Sequence, residues 1–150
     1  MTILTDPDRL ARTCAEIMWK DDQAAQQLGI ALQEIAPGRA VLGMTIAARM
    51  VNGHGSCHGG YIFALADTAF AYACNAYGNR AVASHCTITY LTPGKLGDDL
   101  IALAEERCRG ERSGIYDVRI TRRDGTVIAE FRGHSRVIGS FFPVAASEST

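Results

Sequence analysis

The feature that most constrains this chain is a glycine-rich loop that opens into a nearly all-apolar segment, NGHGSCHGGYIFALADTAFAYACNA, at residues 52–76. Its later part is rich in Ala and Leu, which favours a helix that begins at Gly59-Gly60 and runs to about Tyr77. Asp67 is the one charged side chain in this helix. Because a helix that is apolar on every side is normally buried, we expect Asp67 to be short of water.

The environment of Asp67 must compensate its charge, because an ionised carboxylate is costly to bury without partners. On a helix of 3.6 residues per turn, the positions that share its face are all uncharged: Gly60, Phe63, Ala64, Ala71 and Cys74. We therefore expect Asp67 to be paired, hydrogen-bonded or placed in a cleft. A structural Asp held by backbone amides or by a basic residue is the alternative to an active-site acid.

The sequence His58-Gly59-Gly60 places bare backbone amides at the start of this helix. The first amides of a helix lack intrahelical partners and attract anions and developing oxyanions, and glycine lets a substrate carbonyl approach the main chain. An ordinary glycine-rich turn is the alternative. A carboxylate together with an amide that polarises a carbonyl is the minimum set for hydrolysing an acyl bond.

Gly59 and Asp67 are eight residues apart, which places them about 12 Å apart along one helix. They cannot act on one carbonyl carbon within a single helix. If two copies of the helix run antiparallel across a two-fold axis, Asp67 of each chain faces the helix start of the other. The spacing therefore predicts a homodimer with two shared sites.

Composition limits the function classes. A chain of 150 residues fits one domain, and 15 basic against 16 acidic residues argue against nucleic acid as a partner. The apolar segment is too short to span a membrane, and the N-terminus lacks a signal peptide, so we expect a cytoplasmic protein. The five cysteines form no CxxC pair and are interpreted as buried thiols in a reducing compartment: Cys14, Cys57, Cys74, Cys86 and Cys108.

The rest of the chain predicts one α+β domain over residues 1–142, followed by a disordered polar tail at 143–150. An amphipathic helix is expected at 6–20, and a hairpin joins runs 30–35 and 40–47 around Pro37-Gly38. Four strand-like runs follow the central helix, at 81–91, 100–109, 114–122 and 126–138, with a tight turn at Asp124-Gly125. This order suggests an antiparallel meander in a curved sheet wrapped around a central helix.

Three motifs resemble those of the hot-dog-fold acyl-CoA thioesterases of the phenylacetate-degradation (PaaI) type: Asn52-Gly53-His54-Gly55, His58-Gly59-Gly60 and Leu65-Ala66-Asp67-Thr68-Ala69-Phe70. The resemblance implies a hot-dog fold, dimers that pair into homotetramers, and no metal or cofactor. It also implies hydrolysis of aryl-acyl-CoA thioesters, above all phenylacetyl-CoA or its ring-hydroxylated forms.

The same resemblance implies residue roles. Asp67 would attack the thioester or activate water, while the Gly59 amide of the other subunit polarises the thioester oxygen. Asn52 would position the attacking group, and His58 would orient the loop. Gly60 and Thr68 are expected to contact the substrate: each lies next to one of the two catalytic groups.

The phosphates of CoA call for basic side chains near a turn. Candidates are Lys95, after Thr92-Pro93-Gly94, and Arg112 with Ser113 in the turn at 110–114. Exposed Arg and Lys on turns are more often solvated surface.

The loop also carries features of other functions. Cys57 beside His58 suggests a cysteine nucleophile, but adjacent residues rarely present their side chains to each other. His54, Cys57 and His58 lack a second cluster that would complete a metal site, and His85 is interpreted as a surface or core residue. A hot-dog hydratase/dehydratase would need a catalytic histidine in the loop. A non-catalytic acyl-CoA sensor would need an effector region and gains nothing from a desolvated carboxylate.

Overall fold

The computed structural model describes residues 6–142, which form three α-helices and six strands. The helices are α1 (Pro7–Asp21), α2 (Gln23–Gln27) and α3 (Gly59–Cys74). The strands are β1 (Ala31–Ala36), β2 (Arg39–Thr45), β3 (Asn79–Tyr90), β4 (Asp99–Arg109), β5 (Ser113–Arg122) and β6 (Val127–Ser140). The predicted N-terminal helix, hairpin, central helix and four later strands are confirmed, while the predicted tail at 143–150 lies outside the described residues.

The six strands form one antiparallel sheet in the order β1-β2-β4-β5-β6-β3. The predicted meander is therefore correct for β4, β5 and β6 but wrong for β3, which pairs with β6 at the far edge of the sheet. The chain leaves β3 towards β6, because the Leu91 and Thr92 amides both donate to the Ile128 carbonyl at 2.8 and 3.3 Å. It then crosses back to begin β4 at Asp99.

The core lies between the sheet and one side of α3. Leu65, Ala66, Ala69 and Phe70 on the helix are almost fully buried. The sheet presents a face of mostly small and branched residues to them: Leu42, Ala102, Ala104, Val118, Ile120 and Phe131. The ring of Phe70 stands 5.7 Å from that of Tyr116 and 5.9 Å from that of Phe131, between centroids. Small residues on the sheet thus let a helix with large side chains approach closely.

Helix α3 ends at Cys74, three residues before the predicted end near Tyr77. Asn75, which is buried, ends it by tying the helix to β3. Its side-chain amide donates to the Ala71 carbonyl at 2.8 Å and to the Ala81 carbonyl at 3.0 Å, and its oxygen accepts from the Ala81 amide at 2.8 Å. These bonds replace the next helical turn.

The expectation that all five cysteines are buried is wrong. Cys14, Cys57 and Cys74 are buried, but Cys86 is half-buried and Cys108 is exposed, and all five are free thiols. Cys108 is exposed because the pairing of β4 with β5 shifts register between Glu106 and Cys108, and such a bulge redirects side chains. Within residues 6–142, the structure contains no helix of the length and apolarity that crossing a membrane requires.

Candidate active site

The loop before α3 is folded by Asn52. Its side-chain oxygen accepts hydrogen bonds from the His54 amide at 2.9 Å and the Ser56 amide at 3.2 Å, and its own amide donates to the Ser56 carbonyl at 2.8 Å. The loop is also fastened to its surroundings, because the Cys57 amide donates to the Gly94 carbonyl at 2.8 Å. The side chain that the sequence placed near the substrate therefore shapes the loop through its oxygen, which leaves its NH2 group as a donor.

Helix α3 begins with two glycines that have different surroundings. A Cβ on Gly59 would lie 2.8 Å from both Cζ and the hydroxyl of Tyr90, whereas a Cβ on Gly60 would have no neighbour within 4 Å. His58, just before them, is exposed and makes no side-chain cap. The amides of Gly59 and Gly60 have no intrahelical acceptor at this end of the helix, so they can donate hydrogen bonds to an external oxygen.

Asp67 is half-buried on the far part of the same helix. Burial raises the pKa of its carboxyl above the ordinary value of 3.8. It lines a cavity of about 340 Å³ whose other walls are mostly apolar, including Met18, Phe70, Val82 and Phe141. Among the described residues no side chain or amide forms an ion pair or hydrogen bond with its oxygens. The structure thus gives no support to a structural Asp held by a basic residue.

The face of α3 that carries Asp67 is only partly covered by the sheet of the same chain. Phe63, Ala64, Thr68 and Ala71 are partly accessible there, and Gly60 is exposed. The expectation of a helix buried on every side was wrong, because the sheet covers the opposite side more fully than this one. We call these residues together with Asp67 the open stripe. Thr68 within it donates its hydroxyl to the Ala64 carbonyl at 2.6 Å, so its proton is used by its own helix.

A second cleft lies at the start of α3. It has a volume of about 390 Å³ and is lined by Ser56, Cys57, Gly59, Ile62 and Tyr90 through Gly94. Asp67 is absent from it, and Gly59 is absent from the cavity of Asp67. A single chain therefore keeps the candidate acid and the candidate oxyanion donors in separate places, as their spacing along the helix requires.

The predicted CoA-binding residues do not converge within one chain. Lys95 is exposed beside the loop, with its Nζ 3.4 Å from the hydroxyl of Ser56. Arg112 and Ser113 lie in the β4–β5 turn, where Ser113 lines a small cleft with Cys74 near the end of α3. Lys95 and the Arg112 turn thus lie near opposite ends of α3, a helix of 16 residues that is about 24 Å long.

The rival groupings in the loop receive little support. Burial raises the pKa of Cys57, and its thiol donates to the His58 carbonyl at 3.4 Å, which fits a packing role better than a nucleophile. His54 and His85 are exposed. In the part of the chain that the structure describes, no three His, Cys, Asp or Glu side chains are grouped as metal ligands would be.

Sequence reasoning missed Tyr90, the last residue of β3. Its hydroxyl donates to the Gly59 carbonyl at 2.8 Å, which joins the strand to the first turn of α3. A single tyrosine at the end of a strand has no spacing or motif that marks it. Only the position of β3 beside the helix reveals the contact.

Comparison with known proteins decides the family. A family model described as the thioesterase superfamily matches residues 54–129, which include both Gly59 and Asp67. The acyl-coenzyme A thioesterase PaaI of Escherichia coli K12 is 50% identical over 125 residues, covering 83% of this chain and 89% of that protein. The chain belongs to the thioesterase superfamily. Its curved sheet and central helix are the hot-dog fold of these thioesterases, and it is a thioester hydrolase.

Solved structures of similar proteins agree with this assignment. The E. coli PaaI protein from the phenylacetic acid degradation operon superposes with a TM-score of 0.88 at 47% identity, over 90% of this chain and 98% of that one. A Streptococcus mutans protein bound to acetyl CoA superposes with a TM-score of 0.72 at 27% identity, over 74% and 90%. Membership in the superfamily favours hydrolysis over the hydratase and sensor alternatives.

Proposed function

We propose that this thioesterase hydrolyses acyl-CoA thioesters, above all phenylacetyl-CoA or its ring-hydroxylated forms, to CoA and the free acid. The observation that carries the proposal is Asp67, a half-buried carboxylate with a raised pKa and no partner among the described residues, beside a mostly apolar cavity of about 340 Å³. The name of the E. coli relative and the acetyl CoA in the Streptococcus structure support the CoA ester as the substrate class. The free thiols fit a reducing cytoplasm as the place of action.

In the proposed reaction, ionised Asp67 either attacks the thioester carbon to form a mixed anhydride or removes a proton from an attacking water. Its partial desolvation makes the carboxylate a stronger nucleophile and base than one in bulk water. As the carbonyl carbon becomes tetrahedral, the Gly59 amide stabilises the charge on its oxygen. Collapse expels the CoA thiolate, which then takes up a proton. In the anhydride route, water then hydrolyses the mixed anhydride, which releases the acid and restores Asp67.

We infer that each site is shared by two copies of the chain. Strand β3 is an edge of the sheet, and exposed apolar side chains lie near both of its ends: Val82 and Ile138 at one, Leu91 at the other. An open strand edge with exposed apolar side chains next to the open stripe is a surface that a soluble chain normally covers. A second copy across a two-fold axis would cover both and bring the Asp67 cavity of one chain to the helix-start cleft of the other.

The same arrangement explains the basic residues. With antiparallel helices, the start of α3 in one copy lies beside the end of α3 in its partner. Lys95 of one copy and Arg112 with Ser113 of the other then flank a common site for the CoA phosphates. We further propose that two such dimers form a homotetramer, as the resemblance to PaaI-type enzymes implies.

The remaining loop residues complete the site in this proposal. Asn52 offers its side-chain NH2 to the attacking group or water, while its oxygen shapes the loop. His58 orients the exposed end of the loop. Gly60 and Thr68, on the open stripe, contact the substrate from opposite chains.

The proposal is tested by a panel of aryl-acetyl, benzoyl and fatty acyl-CoA esters, with release of free thiol as the readout. Asp67→Asn should lower kcat by at least about 10²-fold, because it removes the base or nucleophile with little change in volume. Asp21→Asn, at an exposed acid in the last turn of α1, is the matched control. Near-normal turnover by Asp67→Asn would contradict the assignment. Single turnover in heavy-oxygen water separates the routes, since unlabelled product identifies attack by Asp67 itself.

Mixing two inactive variants tests the shared site. Refolding Asp67→Asn together with Gly59→Ala should restore activity, because hybrid dimers contain one site with both an intact Asp67 and an intact Gly59. About a quarter of the wild-type sites would be regained, since random pairing makes half of the dimers hybrids and each hybrid has one intact site out of two. Mixtures that stay as inactive as their components would show that each chain uses its own two groups.

A further inference from the structure

Tyr90 makes an unusual contact with the first residue of α3. Its hydroxyl donates to the Gly59 carbonyl at 2.8 Å, and its ring occupies the space where any other residue at 59 would place a Cβ. The nearest ring atoms would lie 2.8 and 3.2 Å from that Cβ. The bare Cα of Gly59 therefore serves the approach of Tyr90 from the same chain as well as the approach of a substrate.

The contact adds a restraint to the first peptide of α3. The Gly59 carbonyl and the Gly60 amide belong to one planar peptide, so a bond that holds the carbonyl also sets the direction of the N–H. Two consecutive glycines have wide backbone freedom, and the ends of helices fray. The His58 side chain makes no cap that could restrain this turn. Tyr90 supplies the missing restraint from the neighbouring strand.

We propose, on the basis of the thioesterase reaction proposed above, that Tyr90 is a positioning residue. It holds the first peptide of α3 so that the Gly60 amide, beside the Gly59 amide, points at the thioester oxygen. Its ring also closes one wall of the cleft at the helix start, which it lines with Cys57 and Pro93. Excluding water from this side strengthens the hydrogen bonds that the amides make to a developing oxyanion.

The properties of Tyr90 suit this role better than a role in stability. Its exposed fraction is 48%, so it buries little apolar area and adds little to the core. Partial desolvation raises the pKa of its hydroxyl, with a smaller contribution from Cys57, so the group stays a protonated donor at neutral pH. A hydroxyl donor that holds a carbonyl in place acts on orientation, which affects kcat more than substrate affinity.

The first test compares Tyr90→Phe, which keeps the ring, with Thr89→Ala on the same strand. Thr89 is exposed and points to the opposite face of the sheet, so it reports any general effect of altering this edge. Tyr90→Phe should lower kcat for phenylacetyl-CoA by about tenfold, less than the loss of a direct oxyanion donor, with KM changed less than about twofold. Thr89→Ala should leave kcat unchanged. An unchanged kcat in Tyr90→Phe would overturn the inference.

The second test measures the polarisation of the substrate's thioester carbonyl. Phenylacetyl-CoA with carbon-13 in its carbonyl is bound to Asp67→Asn, and the shift of its stretching frequency by infrared difference spectroscopy reports polarisation by the amides. Adding Tyr90→Phe should reduce that shift. An equal shift with and without the hydroxyl, or a loss of kcat that merely follows a loss of thermal stability, would show a structural role and overturn the inference.

The two proposals fail separately. If Asp67→Asn retains turnover, the proposed chemistry is wrong whatever Tyr90 does. If Asp67→Asn is inactive while Tyr90→Phe has wild-type kcat and an unchanged carbonyl frequency, the chemistry stands and only the positioning role is refuted.

Discussion

Replacing Gly59 by alanine should remove activity while leaving the fold almost as stable as before. The new Cβ would lie 2.8 Å from Cζ and the hydroxyl of Tyr90 and 3.2 Å from its Cε1. Ordinary carbon contacts are about 3.5–4.0 Å, so the ring must move by about 1 Å. Tyr90 can do so because its exposed fraction is 48%. The new methyl therefore displaces a flexible side chain and leaves the core unchanged.

The energies of this change nearly cancel. Moving Tyr90 breaks its hydrogen bond to the Gly59 carbonyl, at a cost of about 0.5–1.5 kcal/mol. Alanine stabilises a helix relative to glycine by about 0.5–1 kcal/mol. The net change in the free energy of unfolding is within about 1 kcal/mol, and Tm should move by no more than about 4 °C for a chain of this length.

The effect on catalysis should be far larger. The methyl displaces the Tyr90 ring that borders this amide, and disabling one oxyanion donor lowers kcat by about 10²–10³. The assay is kcat for phenylacetyl-CoA beside a thermal melt of the same sample. Gly60→Ala serves as the control for stability, because its Cβ meets nothing within 4 Å and so reports helix propensity alone. Wild-type kcat in Gly59→Ala would refute the role of this amide, and a fall in Tm of more than about 10 °C would show that Tyr90 cannot move.

Three further predictions concern the charge of Asp67 and the packing of α3. Because burial raises the pKa of Asp67 above 3.8, kcat/KM should fall as the pH drops through that raised pKa, and an acid limb at the ordinary carboxyl value would contradict this. Above the raised pKa, the buried charge of Asp67 lowers the stability of the folded state, and protonation removes this cost as the pH falls towards 3.8. The free energy of unfolding should therefore rise as the pH falls across this window, and Asp67→Asn should not show that rise. Gly133→Ala would place a Cβ 2.7 Å from two ring atoms of buried Phe70, costing about 1–3 kcal/mol. Gly139→Ala on the same strand has nothing within 4 Å, and equal urea midpoints for the two variants would refute the packing argument.

The sequence predicted the parts of the molecule whose signals are local. A lone acid in an apolar run and a glycine pair at its start predicted α3, and with it the two candidate groups of the site, Asp67 and the Gly59 amide. The Asp124-Gly125 turn located the β5–β6 hairpin, where Gly125 has a φ of +89° that favours glycine.

What the sequence could not predict depends on long-range pairing. The strand-like run at 81–91 predicts β3 but does not say whether that strand joins β4 or β6. The sequence predicts that the open stripe is buried within its own chain, because small and apolar residues such as Ala64 and Ala71 suit a core and an interface with a second copy equally well. The separation of Lys95 from Arg112 follows from which end of α3 each turn meets, and their positions along the chain do not reveal it.

Strand β3 is fastened to α3 near both of its ends, by Asn75 to Ala81 and by Tyr90 to Gly59. A slip of one residue in a strand turns every side chain to the other face, and an edge strand has a neighbour on only one side to prevent it. The two fastenings forbid that slip, since each would lose its partner. The register of the outer edge, where we place the second copy, is thus set by contacts at the two ends of α3.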